Sequence, residues 1–175
     1  MADAAAESLE PYRDISGSGR AHDPWVRRFV LLVLGLLVLA ALLNRFGQHP
    51  VTSNAAAPSA TLEVQSPENL RAGLIFQARF TIAARERLAK PTLILQRGWF
   101  ESMSVNSIVP DAAQADARDG RVRVAYPPLA AGSSRVVWIY FQVNPTNLGK
   151  HSQDVVLADG NRQLLTVHRS VTVWP

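Results

Sequence analysis

The sequence contains no cysteine among its 175 residues. This excludes disulfide cross-links and every metal site that is built on thiolates. Histidine is also scarce, and the four histidines lack the spacing of paired metal ligands: His22, His49, His151 and His168. We therefore expect no metal and no other cofactor, and we expect each histidine to lie at the surface.

Sequence motifs of catalytic and phosphate-binding sites are missing as well. The chain has no G-x-S-x-G nucleophile elbow and no glycine-rich phosphate loop. Its aspartates lack the spacing of a calcium loop, and Asp119-Gly120 and Asp159-Gly160 are typical of turns. The sequence thus favours a protein that is not an enzyme. An enzyme would need histidine and aspartate side chains brought together by the fold, which the strand pattern does not predict.

Runs of basic residues are also absent. Residues 60–175 carry thirteen Lys and Arg against nine Asp and Glu, and these charges are spread singly along the chain. Nucleic-acid binding would favour a basic stripe with interleaved aromatic residues. We therefore expect a solvated surface and no nucleic-acid partner. Weak attraction to an acidic surface, such as anionic lipid or a cell-wall polymer, is the alternative.

One long apolar run is present, the fifteen residues Phe29–Leu43. A helix from Trp25 to Phe46 would be about 33 Å long, against a hydrocarbon core of about 30 Å. Trp25 and Phe46 would fall at the two membrane interfaces, where nearby arginines can reach lipid headgroups: Arg27, Arg28 and Arg45. We predict a transmembrane helix over residues 25–46, with a buried core helix as the alternative.

The flanks of this run predict its orientation in the inner or plasma membrane. Four arginines precede the run within the counting window and only Arg45 closely follows it, so the positive-inside rule places the amino terminus in the cytoplasm. We predict a disordered cytoplasmic tail over 1–24, an uncleaved signal-anchor over 25–46, a flexible stalk over 47–60 and an extracytoplasmic domain over 61–175. A cleaved signal peptide is the competing interpretation.

Beyond residue 61 the apolar residues alternate with a period of two, which is typical of strands. The most apolar strand is Arg135–Val143, and a hairpin is predicted for Ser152–Leu157 with Arg162–Val173 across an Asp-Gly turn. Residues Pro110–Gly120 read as a loop. Seven or eight short strands without an intervening amphipathic helix predict an all-β fold, a single antiparallel β-sandwich.

Part of this domain resembles a known class of modules. The segment 127–173, PPLAAGSSRVVWIYFQVNPTNLGKHSQDVVLADGNRQLLTVHRSVTV, is similar to the second half of bacterial immunoglobulin-like adhesion or accessory modules. A loop ending in Gly-Ser precedes a long apolar strand, a crossover with Pro and Gly, and a closing hairpin. The Cys…Trp…Cys pattern of antibody domains is absent. The resemblance implies an immunoglobulin-like sandwich of about seven strands and a role in binding or spacing.

The aromatic residues are the candidate binding residues. Trp138 and Tyr140 alternate on a strand whose other face is already apolar, so they are either covered by the Pro110–Gly120 loop or form a partner-binding patch. A second candidate is Trp99-Phe100 at a turn. Two arginines could rim such a patch: Arg97 and Arg135.

These observations predict a bacterial-type, single-pass, membrane-anchored accessory or interaction protein. Its immunoglobulin-like domain would face a membrane or envelope protein partner outside the cytoplasm, and its anchor would contact the lipid bilayer. The alternative is an anchored module that binds envelope carbohydrate or lipid. That alternative requires a concave site lined by Trp99, Trp138 or Tyr140.

Overall fold

The computed structural model describes residues 23–43 and 48–175. The chain divides into two compact units, Met1–Phe46 and Gly47–Pro175. Residues 1–22 of the predicted tail, together with Arg45 and Phe46 of the predicted membrane interface, lie outside the described residues.

The first unit contains one helix, α1, from Asp23 to Leu42. Pro24 occupies its first turn, where the missing N–H of proline costs no helical hydrogen bond. Residues Pro24–Leu42 have a mean hydropathy of 2.2 and none of this surface is buried, so by length and composition the helix could cross a membrane. A signal sequence would pass the same test. Trp25 is 71% exposed, and Arg28 lies 6.0 Å from its ring.

The described part of the second unit folds into thirteen strands. In chain order they are β1 Pro50–Ala56, β2 Ala60–Pro67, β3 Asn69–Arg71, β4 Ile75–Ala84, β5 Pro91–Leu95, β6 Met103–Val109, β7 Gln114–Arg118, β8 Arg121–Ala125, β9 Ser134–Val143, β10 Gly149–Ser152, β11 Val155–Asp159, β12 Arg162–Val167 and β13 Ser170–Trp174. A 3-10 turn, Arg97–Trp99, lies between β5 and β6.

These strands form two five-stranded sheets and one three-stranded sheet. The first sheet has the order β1-β2-β4-β9-β6 and the second has the order β12-β11-β5-β8-β7. All strand pairs of these two sheets are antiparallel. The third sheet, β10-β13-β3, contains one parallel pair. The predicted all-β class is confirmed, with more strands than the predicted seven or eight because several connections form short strands.

The two large sheets share one hydrophobic core. On β4 and β9 alternate residues are buried, as the period of two predicted. The aromatic centre of this core is a set of ring contacts around Phe141, which lies 5.1 Å from Phe76 and 5.2 Å from Trp99. Side chains of the second sheet, including Leu93 and Leu157, are fully buried in the same cluster. This arrangement is a β-sandwich.

The segment predicted as a flexible stalk contains a strand instead. Residues Pro50–Ala56 pair with β2 in an unbroken antiparallel register, from Pro50 opposite Pro67 to Ala56 opposite Thr61. The Ala57 N–H donates to the Ala60 carbonyl at 2.8 Å and closes a two-residue turn. Strand β1 lies at a sheet edge and is mostly exposed, so its sequence does not need to alternate between apolar and polar residues. Its small and polar residues have the composition of a linker, which is why the strand was not predicted.

Two further connections differ from the prediction. Gln114–Arg118, predicted within a loop, forms β7 and pairs with β8 through a turn in which Asp119 and Gly120 have φ values of 55° and 71°. Both values suit the type I′ turn of a hairpin. The predicted long strand Arg162–Val173 is two strands in two different sheets, because the chain leaves the second sheet at His168 and Arg169.

Candidate partner-binding surface

Strand β9 presents two aromatic residues on the outer face of the first sheet. Its residues Val137, Ile139 and Phe141 are fully buried, whereas Trp138 and Tyr140 between them are partly exposed. Successive side chains of a strand point to opposite faces. The two aromatic side chains therefore face away from the core, as the sequence predicted.

Neighbouring strands surround these rings with one cation and several uncharged side chains. Trp138 pairs with Arg79 of β4 on one side and with Val109 of β6 on the other. The Arg79 guanidinium carbon lies 5.2 Å from the Trp138 ring centroid, within the range of a cation–π interaction. Tyr140 lies between Gln77 and Ser107 in the same register. We name this surface the Trp138 face: Gln77, Arg79, Ser107, Val109, Trp138 and Tyr140.

Part of the segment that could have covered this face is a strand of the other large sheet. Residues 114–118 are β7 of the second sheet, and the Ala113 N–H donates to the Ala125 carbonyl at 2.9 Å. Val109, at the end of β6 nearest this segment, is 51% exposed. The pairing of β7 with β8 therefore favours the second alternative, an open patch at Trp138, because residues 114–118 satisfy their backbone hydrogen bonds in the second sheet.

Trp99, a predicted member of the patch, belongs to the core. Its side chain is fully buried, and its indole Nε1–H donates to the Gln153 carbonyl at 2.9 Å. The Arg169 guanidinium carbon lies 5.3 Å from the ring. The 3-10 turn directs Trp99 inward, and no local sequence pattern distinguishes an inward from an outward aromatic residue at such a turn.

Arg169 contributes to this buried arrangement through hydrogen bonds. Its Nη2 donates to the carbonyls of Ser66 at 3.0 Å and Pro67 at 3.3 Å. Burial lowers the pKa of Arg169 to about 10, and the nearby Glu68 carboxylate partly opposes this. Arg169 therefore links the end of β2 to the Trp99 ring.

The remaining candidates also lie away from the Trp138 face. Phe100 is half-buried, with its ring 6.2 Å from Phe141. Arg135 donates from Nη1 to the Pro127 carbonyl at 2.7 Å and stacks 5.6 Å from the Tyr126 ring. Arg97 is exposed and lines a groove with Asp154 and His168. The predicted rim of Arg97 and Arg135 is therefore not formed, since each arginine has another position in the fold.

The sequence did not predict that Arg79 is the cation of the Trp138 face. Arg79 lies between Gln77 and Thr81 on the face of β4 that points away from the core. Its position beside Trp138 depends on the register between β4 and β9, which are separated by half of the domain in sequence. The period of two predicts which face of the sheet a residue lies on, but it does not predict which residue of the neighbouring strand lies beside it.

Two grooves lie over the second sheet, and both are polar. One has a volume of about 320 Å³ and is lined by Lys90, Gln114, Asp116 and Arg123 among others. The other measures about 550 Å³, and its lining contains the His168–Asp154 pair with 3.1 Å between Nδ1 and Oδ2. Neither lining includes an aromatic side chain. These two grooves therefore do not provide the concave aromatic site that the carbohydrate or lipid alternative requires, and Trp99, one of its three candidate residues, is buried in the core.

Metal-ligating side chains are not clustered in the described part of the chain. Within residues 23–43 and 48–175, no group of three or more His, Asp and Glu side chains could hold an ion. His151 and Glu101 form a separate pair with 3.9 Å between Nδ1 and Oε2. Two such isolated pairs provide too few ligands for a tetrahedral or octahedral metal site.

Comparison with known proteins gives similarity of fold only. No family model matches the sequence, and no curated protein matches it. Among solved structures, CaCohA2 from Clostridium acetobutylicum is similar at 12% identity and a TM-score of 0.47, covering 67% of this chain and 92% of that one. A non-cellulosomal cohesin from Archaeoglobus fulgidus is similar at 11% identity and a TM-score of 0.44, covering 73% and 92%.

A third similar structure is the CARDB domain of PF1109 from Pyrococcus furiosus, at 11% identity and a TM-score of 0.43, covering 68% of this chain and 97% of that domain. Cohesin and CARDB domains are immunoglobulin-like β-sandwich modules. This agrees with the weak immunoglobulin-like resemblance of the sequence. At these identities and scores, nothing about ligands or partners follows from the similarity.

Proposed function

We propose that this protein is a non-catalytic, single-pass membrane protein that presents an immunoglobulin-like domain outside the cytoplasm to a membrane or envelope protein. The Trp138 face supports this proposal. It places a partly exposed Trp and Tyr on the same face of β9, an interior strand of the first sheet, with Arg79 stacked on the indole. Trp, Tyr and Arg are the residue types enriched at binding hot spots.

The energetic argument concerns what a partner would remove from water. Val109 and the two aromatic rings are already partly shielded by their neighbours, so a partner completes their desolvation without ordering a flexible segment. Arg79 would remain stacked on Trp138 and keep a cation next to the apolar area. Such an arrangement suits a partner with an apolar side chain flanked by a carboxylate.

The anchor part of the proposal is supported by α1. Its apolar surface is exposed all round, which suits lipid, and Trp25 with Arg27 and Arg28 precedes the apolar run. We propose that α1 is an uncleaved signal-anchor, with residues 1–24 in the cytoplasm and the β-sandwich outside it. Nucleic acid is not among the proposed partners.

Site-specific photocrosslinking in native membranes tests the proposed face. A photoreactive phenylalanine derivative at Ser107, which is exposed beside Tyr140, should capture a distinct membrane or envelope protein. The same derivative at Gln163, exposed on the edge strand of the second sheet, is the matched control. Replacing Trp138 by Ala should abolish the Ser107 product and leave expression unchanged.

Three results would contradict the proposal. Capture at both positions would mean that the crosslinks are non-specific, and a Ser107 product that survives Trp138→Ala would exclude the Trp138 face as its cause. Hydrolytic turnover by the purified full chain, abolished by one substitution, would show that the protein is an enzyme.

A further inference from the structure

Four large apolar side chains are exposed in the second unit near the ends of three strands. They are Leu74 at 47%, Ile75 at 57%, Leu148 at 51% and Trp174 at 56% exposure. Leu74 precedes β4, Ile75 begins it, Leu148 precedes β10, and Trp174 ends β13. Single exposed apolar residues are common on protein surfaces, but several from separate segments at one place form a patch.

Backbone hydrogen bonds bring these segments together. The Ala72 N–H donates to the Trp174 carbonyl at 2.8 Å, which joins the turn before β4 to the end of β13. The Val143 N–H donates to the Leu74 carbonyl at 3.0 Å, which joins the same turn to the loop that leads to Leu148. Gly149, directly after Leu148, pairs with Val173 beside Trp174. We name Leu74, Ile75, Leu148 and Trp174 the apolar end patch.

This patch lies at the end of the sandwich where the chain enters it. Pro50, the first residue of β1, pairs with Pro67 at the end of β2, and β4 begins at this same end because β2 and β4 are antiparallel. Ile75 pairs with Gln142 near the end of β9. In the sequence, only residues 43–49 separate the last residue of α1 from Pro50. A bilayer that holds α1 is therefore within the reach of a short linker from this end.

The surroundings of the patch suit a lipid headgroup region. Trp174 donates from Nε1 to Asn69 Oδ1 at 3.4 Å and still exposes more than half of its surface. Trp is enriched at membrane interfaces, where its ring is apolar and its N–H is polar. Arg71 pairs with Trp174, and Lys150 comes two residues after Leu148, so exposed cations flank the patch. Glu68 and Glu101 are joined to neighbouring segments through their backbone carbonyls, which accept from the Thr172 N–H and the Asn147 side chain.

We infer that the apolar end patch inserts into the headgroup region of the bilayer to which the chain is anchored. This inference rests on the proposed membrane anchoring. Docking would hold the sandwich against the membrane surface, and the Trp138 face would then meet partners close to the bilayer. The apolar area and the interfacial Trp provide the attraction.

Fluorescence in proteoliposomes tests this docking, and the absence of cysteine makes the labelling specific. The full chain carrying Leu148→Cys is labelled with an environment-sensitive apolar fluorophore and reconstituted into phosphatidylcholine vesicles. We expect blue-shifted emission that is quenched when nitroxide-labelled lipid is included. Ala131→Cys is the matched control, because Ala131 is exposed at the opposite end, beside Gly132, which donates to the Ala84 carbonyl.

The labelled chain with Ile75→Ser and Trp174→Ser should lose most of the quenching at position 148. Equal quenching at positions 131 and 148, no quenching at either, or quenching unaffected by the two serines would each overturn the inference. The second outcome would leave the patch available to another occupant, such as a protein, and the third would mean that the apolar side chains do not cause the docking. Resistance of the same vesicles to alkaline carbonate extraction reports the anchor separately, so failure of docking and failure of anchoring are distinguishable.

Discussion

At the residue scale, two tryptophans of the same domain lie in contrasting environments. Trp99 is fully buried with its N–H bonded to a backbone carbonyl, whereas Trp138 is partly exposed and stacked against Arg79. A buried polar group that loses its hydrogen-bond partner lowers the free energy of unfolding. Replacement of a partly exposed ring by a smaller one changes it little. The two positions therefore allow the stability of the core to be tested separately from the proposed partner binding at Trp138.

Substitution of each tryptophan by phenylalanine tests this difference. Trp99→Phe should lower the free energy of unfolding by about 1–3 kcal/mol, because the Gln153 carbonyl loses its donor. The matched change Trp138→Phe should alter it by no more than about 0.5 kcal/mol. Urea unfolding of the full chain in detergent micelles measures both. Equal losses at the two positions would contradict the assignment of Trp99 to the core.

At the element scale, β1 shows why an edge strand is hard to recognise in a sequence. Its seven residues contain no aromatic residue and no charge, and most of them are exposed. These residues form a strand because they pair with β2, and a tight turn at Pro58 and Ser59 brings the two strands together. Strand β9 has two distinct faces and was predicted with nearly correct bounds, because burial of one face requires alternation.

Proline substitutions distinguish a paired β1 from a flexible stalk. Because Ala57 and Ala60 form the hydrogen-bonded pair next to the turn, alternation along the ladder directs the Ser53 N–H towards β2 and the Thr52 N–H towards the free edge. Ser53→Pro should therefore lower the unfolding free energy by about 1–3 kcal/mol, and Thr52→Pro should lower it less. Equal and negligible effects in thermal unfolding would favour the stalk.

At the scale of the whole molecule, the proposed function depends on the orientation of the chain across the membrane. Arginines precede the apolar run more often than they follow it, which predicts a cytoplasmic amino terminus. The Trp138 face and the apolar end patch both belong to the second unit. Both could meet envelope partners or the outer leaflet only if this unit is outside the cytoplasm.

Single cysteines in this cysteine-free chain test the orientation. In intact bacterial cells, a membrane-impermeant maleimide should label Glu63→Cys, which is exposed on β2, and should leave Ser18→Cys unlabelled until the cells are permeabilised. Labelling of Ser18→Cys alone in intact cells would reverse the orientation. Mass spectrometry of the purified protein should detect residues 1–43, and their loss would show that α1 is a cleaved signal.

The sequence by itself determined the properties that follow from local composition and period. The apolar run predicted α1, the period of two predicted an all-β domain, and alternation on β9 placed Trp138 and Tyr140 opposite the buried face. The Asp119-Gly120 turn was also predicted from its residues. Each of these depends on neighbours within a few positions along the chain.

Only the tertiary structure decided which side chains meet. In the structure Trp99 lies in the core and Arg79 lies against Trp138. Arg97 and Arg135 lie away from the aromatic patch. The fold also brings the apolar end patch together from three separate segments. These contacts depend on strand order and register between residues far apart in sequence, and a shift of one residue in register would change every one of them.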